Sequence, residues 1–101
     1  EKIIKICKKN NVLLISDEIH KDIILFDHKF TSVLSFAEDY DKMVVCTSEA
    51  KTFNIPGISD AIAVIPKKNI QNSVKETFQK YNLGRTNALT RVALETAYNE
   101  G

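Results

Sequence analysis

Four residues suited to acid–base or nucleophilic chemistry follow two apolar segments of the chain. Asp17 and His20 come after the first segment, and Ser48 and Lys51 come after the second. A lysine amine attacks only in its unprotonated form, which burial or a cationic neighbour favours. A carboxylate stabilises a cationic group beside it. The set therefore suits covalent, acid–base chemistry, provided that the fold brings the four side chains together.

The two apolar segments are predicted to be strands. Residues 12–17 and residues 43–47 are continuous apolar runs and do not alternate with polar residues. That pattern is typical of strands covered on both faces in a parallel α/β sheet. In open α/β sheets, ligands bind beyond the carboxyl ends of the strands. If these two strands run parallel, the four polar side chains surround one crevice.

Helical periodicity predicts the elements that flank the strands. Residues 1–10 have the pattern of an amphipathic helix, with Ile3, Ile4 and Cys7 on one face. Two polar residues, Ser32 and Asn69, are expected to cap later helices at their N-termini, and the last helix is expected to start near Asn87. The segment 22–30 is ambiguous, because residues 23–26 fit either a strand or a buried loop.

A third strand is predicted over residues 61–65 and is closed by Pro66. The order helix, strand, loop, strand, loop, strand, helix, helix indicates an α/β fold, with a mostly parallel sheet and flanking helices. Three strands make a thin sheet whose edges need neighbours. The chain has no initiator Met, and both of its ends fall within predicted helices. We therefore expect residues 1–101 to be an internal fragment of a longer chain.

The composition is that of an ordinary globular domain. Of the 101 residues, 44% are hydrophobic and 27% are charged, with a net charge of +1. This balance gives no electrostatic reason to expect nucleic acid or an anionic membrane as a partner. Cys7 and Cys46 lack the spacing of a metal site, so we expect reduced core cysteines, no metal and a cytoplasmic protein.

Each candidate residue also has a purely structural interpretation. A lysine just past a strand is usually a solvated surface residue, and Asp17 can cap a turn. Ser48 can cap a helix, a position that also suits an anion. His20 is compatible with a structural histidine. The four residues by themselves leave these alternatives open.

Two longer motifs favour the chemical interpretation. Residues 16–20 read Ser-Asp-Glu-Ile-His, and residues 47–57 read Thr-Ser-Glu-Ala-Lys-Thr-Phe-Asn-Ile-Pro-Gly. Together they resemble the fold-type I pyridoxal-phosphate (PLP) enzymes, and most of all the class I/II aminotransferase relatives that act as cystathionine β-lyases, or C–S lyases. Residues 95–101 are similar to a helix of that branch. The resemblance covers nearly the whole chain, but only the later part of the large domain of these longer enzymes.

The resemblance implies a role for each of the four residues. Lys51 corresponds to the lysine that forms the Schiff base to PLP and later moves the substrate Cα proton. Asp17 corresponds to the carboxylate that pairs with the pyridine nitrogen, where a negative charge keeps that nitrogen protonated. His20 falls near the 3-oxygen of the cofactor, and Ser48 corresponds to a hydroxyl that contacts the phosphate.

The chain departs from the family pattern in two places. Ser59 stands where many aminotransferases have a phosphate-binding Arg, which favours the lyase-like branch and leaves one phosphate donor unassigned. Residues 26–30 lack the Gly and the His-x-Pro that lyase-like sequences often carry between the two motifs.

The implied function is β-elimination that cleaves the C–S bond of cystathionine- or cysteine-type amino acids. The fragment is then an incomplete PLP-binding large domain of a homodimeric enzyme. A PLP-dependent aminotransferase, or an aminotransferase-like sensor domain of a transcription regulator, is the alternative. By resemblance, the cofactor-stacking aromatic and the Arg for the substrate carboxylate lie outside this segment. We therefore expect the 101 residues alone to be catalytically inactive.

Overall fold

A computed structural model describes residues 1–58 and 60–101, so Ser59 lies outside the described residues. Seven elements follow one another along the chain. They are helix α1 (Lys2–Asn10), strand β1 (Leu14–Asp17), a 3-10 helix (Val33–Phe36), strands β2 (Met43–Thr47) and β3 (Ile62–Val64), and helices α2 (Lys68–Lys80) and α3 (Ala88–Glu100). The predicted α/β class and the three strands are confirmed.

The sheet has the order β1-β2-β3 and is mixed. Strand β1 pairs with β2 in parallel, with Leu14 opposite Met43 and Asp17 opposite Cys46. Strand β3 runs antiparallel to β2, with Thr47 opposite Ile62. The parallel pairing needs a long crossover, which residues 18–42 provide. The connection from β2 to β3 contains no full crossover helix in its described part, and the chain turns back along β2.

The core lies between α1, the 3-10 helix and one face of the sheet. Met43 and Val45 of β2 are 0% and 1% exposed, and they pack against Ile4 and Cys7 of α1. Continuous apolar runs supply these residues because a strand with covered faces has no position for a polar side chain. Tyr40 closes the cluster: its hydroxyl donates a 2.5 Å hydrogen bond to the carbonyl of Val12, just before β1.

One of the two predicted helix caps, Ser32, is confirmed, and the last helix starts beside Asn87, as predicted. The Ser32 hydroxyl accepts a hydrogen bond from the amide of Leu34, at the start of the 3-10 helix. The Asn87 side chain accepts one from the amide of Thr90 at 2.8 Å, at the start of α3. The prediction for Asn69 was wrong, because α2 already begins at Lys68 and Asn69 lies inside its first turn. The side chain of Asn69 accepts a hydrogen bond from the adjacent amide, that of Ile70.

The ambiguous segment 22–30 forms neither a helix nor a strand. Phe26 and Asp27 both have positive φ angles, of 55° and 57°, which turn the chain sharply. The apolar residues of this loop are exposed, up to 87% at Phe26. The alternative of a buried loop was therefore also wrong for this chain. Among the described helices, none is both long and apolar enough to cross a membrane.

The difference between Asn87 and Asn69 is testable. Asn87→Ala removes the acceptor for the Thr90 amide, and losing an N-cap costs about 0.5–2 kcal/mol. We expect hydrogen exchange at the Thr90 amide to accelerate roughly two- to thirtyfold, measured by mass spectrometry or NMR. Asn69→Ala is the matched control and leaves exchange in α2 nearly unchanged. Equal effects of the two substitutions would contradict the assigned caps.

Candidate functional site

The parallel pairing of β1 and β2 brings their carboxyl ends to one edge of the sheet. Asp17 is the last residue of β1 and lies opposite Cys46. The ladder continues one step further, since the Glu18 amide donates to the Cys46 carbonyl at 2.7 Å. Ser48 follows directly after β2. The predicted parallel direction is confirmed, and Asp17 and Ser48 share the edge at which α/β sheets bind ligands.

Lys51 lies in a helical turn just beyond β2. Ser48 is buried, with only 3% of the residue exposed, and its hydroxyl accepts a hydrogen bond from the Ala50 amide at 3.1 Å. The Phe53 amide donates to the Glu49 carbonyl at 3.0 Å, which completes an i to i+4 turn around Lys51. Ser48 thus acts as the N-cap of this turn, as its structural interpretation predicted. The Lys51 side chain is exposed at the same edge of the sheet.

Asp17 and His20 occupy the turn that follows β1. One carboxylate oxygen of Asp17 accepts a hydrogen bond from the Ile19 amide at 3.2 Å, so Asp17 does stabilise a turn. The Ile23 amide donates to the His20 carbonyl at 3.0 Å, which folds the chain back beside the strand end. Both side chains are exposed. A carboxylate and an imidazole are therefore available for a ligand at the edge that carries Ser48 and Lys51.

Two buried carboxylates support this edge, and the sequence analysis missed both. Glu18 is 5% exposed, and its Oε1 accepts hydrogen bonds from the Val33 amide at 2.9 Å and the Ser16 hydroxyl at 3.2 Å. Glu49 is 0% exposed, and its Oε1 accepts from the Asp60 amide at 3.1 Å. A carboxylate is buried only when such partners replace water. No local pattern signals these roles, because Val33 and Asp60 are distant in sequence.

The hydroxyl oxygen of Thr47, at the end of β2, is a buried polar atom that the described residues leave without a partner. Most buried polar atoms in proteins are hydrogen-bonded, so this one calls for an explanation. Thr47 directly precedes Ser48, and the edge therefore offers one hydroxyl whose hydrogen-bonding capacity is unused.

The family of the chain follows from comparison with known sequences. The sequence model described as "Aminotransferase class I and II" matches residues 1–100. This chain belongs to the class I and II aminotransferase family. Members of this family depend on PLP, which confirms the cofactor predicted from the motifs around Asp17 and Lys51.

Relatives within the aminotransferase family include C–S lyases. Cystathionine beta-lyase PatB of Bacillus subtilis (strain 168) is 36% identical over 101 residues, which are 99% of this chain and 26% of that protein. A PLP-bound protein of Clostridium difficile 630, described as an aminotransferase, has a TM-score of 0.94 at 37% identity over 99% of this chain and 26% of that one. The PLP-bound C–S lyase of Staphylococcus hominis has a TM-score of 0.82 at 34% identity, over 98% of this chain and 24% of that one.

The chain therefore spans about a quarter of the length of the relatives that it matches. These relatives are PLP-dependent enzymes, and the predicted family and lyase-like branch are confirmed by the similarity to them.

The residues at the sheet edge fit the cofactor of the aminotransferase family. PLP carries an aldehyde, a ring nitrogen and a phosphate, and the edge offers an exposed amine, an exposed carboxylate and hydroxyl groups. The Thr47 hydroxyl, which forms no hydrogen bond to residues 1–58 or 60–101, agrees with a polar ligand at this position. PLP supplies an electron sink for the substrate Cα, and the protein supplies orientation and charge.

A metal site is not evident in residues 1–58 and 60–101. They contain no group of three His, Cys, Asp or Glu side chains arranged to hold a metal ion. Cys7 is a buried free thiol in the core, and Cys46 is a half-buried free thiol on β2.

Glu18 provides a test of how this edge is supported. Glu18→Ala leaves the Val33 amide without its acceptor, and an unsatisfied buried donor costs about 1–3 kcal/mol. We expect the midpoint of urea unfolding to fall, and hydrogen exchange at the Val33 amide to accelerate. Glu18→Gln keeps an oxygen at the position of Oε1 and is expected to retain most of the protection. Normal protection of Val33 in Glu18→Ala would show that this contact is dispensable.

Proposed function

We propose that residues 1–101 are part of the PLP-binding large domain of an enzyme that cleaves the C–S bond of cystathionine- or cysteine-type amino acids. The observation that carries this proposal is the parallel register of β1 and β2, which brings Asp17 to the edge that Ser48 and Lys51 follow. Similarity to a cystathionine β-lyase and to a C–S lyase along nearly the whole chain supports this reaction.

Each residue at the edge has a defined task in this proposal. Lys51 holds the cofactor through a covalent bond to Nζ and, once released, takes the proton from the substrate Cα. Asp17 is exposed at the end of β1 and places a negative charge opposite the ring nitrogen. Ser48 contacts the phosphate at the N-terminus of the turn, where amide groups favour an anion. His20 lies near the 3-oxygen of the cofactor.

The elimination itself needs one base and one leaving group. Lys51 removes the Cα proton, and the electron pair left on Cα expels the sulfur from Cβ as a thiolate. A positioned base of this kind contributes about 10²–10⁴-fold to a rate. The amine of Lys51 is exposed in this chain, so additional parts of the protein must exclude water from it.

A PLP-dependent aminotransferase is the second candidate. The family description and the Clostridium difficile relative both favour it. In that reaction the bond from Cβ to its substituent would stay intact and the amino group would be transferred, with the same Lys51 moving the proton from Cα. An aminotransferase-like sensor domain of a transcription regulator is a further alternative, which a helix-turn-helix segment elsewhere in the protein would support.

The wider context of the enzyme is part of the proposal. We infer an amino-acid substrate, a homodimer and a cytoplasmic location for the whole protein. The free thiols of Cys7 and Cys46 agree with a reducing compartment. The 101 residues alone are expected to be inactive, because the proposed site needs groups that this segment does not contain.

The role of Lys51 is tested by spectroscopy of the whole protein that carries this chain. Added PLP is expected to give a visible absorption band that borohydride fixes covalently at Lys51. Lys51→Ala removes both the band and the label, and it lowers kcat by about 10²-fold or more. Lys75→Ala, at an exposed position of α2, is the matched control and keeps both. A normal band in Lys51→Ala would disprove the assignment.

The reaction type is tested with L-cystathionine and with pairs of amino acids and keto acids. A C–S lyase releases a thiol, ammonia and pyruvate without any added keto-acid acceptor. An aminotransferase releases neither thiol nor ammonia, and it consumes the keto-acid acceptor in step with the amino acid. We expect kcat/KM for elimination to exceed kcat/KM for amino-group transfer. A kcat/KM for transfer that is about tenfold or more above that for elimination would assign the protein to the second candidate.

A further inference from the structure

The turn that carries Lys51 is too short to hold its own shape. Two backbone hydrogen bonds close it, from the Phe53 amide to the Glu49 carbonyl at 3.0 Å and from the Ile55 amide to the Ala50 carbonyl at 3.1 Å. Isolated helical turns are unstable in water because fixing the backbone costs more than one or two such bonds return. Contacts from outside the turn must therefore fix the direction of Lys51.

Helix α3 provides one such contact, through its last turn. The ring of Tyr98 meets the ring of Phe53 edge to face, with centroids 5.4 Å apart and an interplanar angle of 84°. This is the preferred geometry of an aromatic pair. Phe53 lies two residues after Lys51, so the ring of Tyr98 rests on the same turn as the proposed catalytic amine.

The fit at the end of α3 is close. A Cβ atom added to Gly101 would lie 2.6 Å from Cε1 of Phe53 and 2.4 Å from the carbonyl oxygen of Ala97. Real Cβ atoms essentially never approach other atoms this closely, so a side chain at position 101 does not fit beside the present position of Phe53. The ring of Phe53 thus lies close to both Tyr98 and Gly101.

A second contact comes from Thr52, the residue directly after Lys51. The Thr52 hydroxyl donates to a carboxylate oxygen of Asp22 at 3.5 Å, which links the turn to the segment after β1. The other oxygen of Asp22 forms a 2.7 Å ion pair with Lys21. This polar contact is long and partly exposed, so it contributes little stability. The aromatic contact is the stronger of the two.

We propose that Tyr98 is a positioning residue for Lys51, acting through Phe53. Its ring holds the Phe53 side chain, and the turn therefore keeps Nζ directed at the sheet edge. The inference rests on the proposed function, in which Lys51 carries the cofactor. Nothing in the motifs around Lys51 identifies Tyr98, which is 47 positions further along the chain.

The test compares variants of the whole protein in its cofactor-free form. Tyr98 is 47% exposed, so Tyr98→Ala removes the ring contact without opening the core. We expect hydrogen exchange at the Phe53 amide to accelerate about two- to tenfold, and the rate of covalent attachment of added PLP to fall by a similar factor. Tyr98→Phe keeps the ring and is expected to restore both. Tyr81→Ala is the matched control, because Tyr81 is exposed at the end of α2.

Gly101→Ala is a second variant that disturbs the contact between Phe53 and the end of α3. Its methyl group would collide with the Phe53 ring and with the carbonyl of Ala97, so this contact is disturbed, and we expect slower attachment again. The proposal is overturned if Tyr98→Ala leaves both rates unchanged. Faster exchange with normal attachment also overturns it, because the ring is then only structural. Failure of Tyr98→Phe to restore attachment would assign the effect to the hydroxyl and reject the ring contact as its cause.

A separate arm distinguishes failure of the proposed function. If PLP attaches equally well to Lys51→Ala, Lys51 does not carry the cofactor, and the positioning role falls with that assignment. If attachment requires Lys51 but is insensitive to Tyr98, the proposed function stands and only the positioning role is rejected.

Discussion

The parallel pairing of β1 with β2 is the constraint on which the rest of the structure depends. It places Asp17 opposite Cys46 and thereby sets the distance between the turn after β1 and the turn after β2. A slip of one residue would move every side chain of β1 to the opposite face of the sheet. The side chain of Leu14 in β1, which packs against the core cluster, opposes such a slip. The core and the candidate site are therefore fixed by the same hydrogen-bond ladder.

Beyond the strands, the edge is held by buried hydrogen bonds and one aromatic contact. Glu18 links the end of β1 to the amide of Val33 at the 3-10 helix. Glu49 links the end of β2 to the amide of Asp60 before β3. Each carboxylate fixes a loop to a strand end, and the charged group is stabilised by backbone donors. The side chains exposed between these supports, among them Lys51 and Asp17, remain available for a ligand.

The exposed strands of the sheet fit the finding that the chain matches only part of its C–S lyase relatives. Strands β1 and β3 are both at an edge of the described sheet, and apolar residues such as Ile15 and Ile62 are exposed there, at 65% and 37%. The chain spans about a quarter of its relatives. Apolar strand edges of this kind require covering partners. The proposed function is accordingly a property of a larger assembly, to which this chain contributes the lysine and the carboxylate.

Sequence signals within short segments determined the strands, one helix cap and the family of this protein. Short apolar runs predicted β1, β2 and β3, a side-chain acceptor predicted the cap at Ser32, and the helical pattern predicted the start of α3 near Asn87. Each of these signals lies within a few residues of the structure that it specifies. The motifs around Asp17 and Lys51 predicted the family and its cofactor. Tertiary structure decided the rest. The antiparallel direction of β3, the burial of Glu18 and Glu49, and the contact of Tyr98 with Phe53 all join residues that are distant in sequence. A sequence pattern records local periodicity, whereas these contacts depend on how the chain closes on itself.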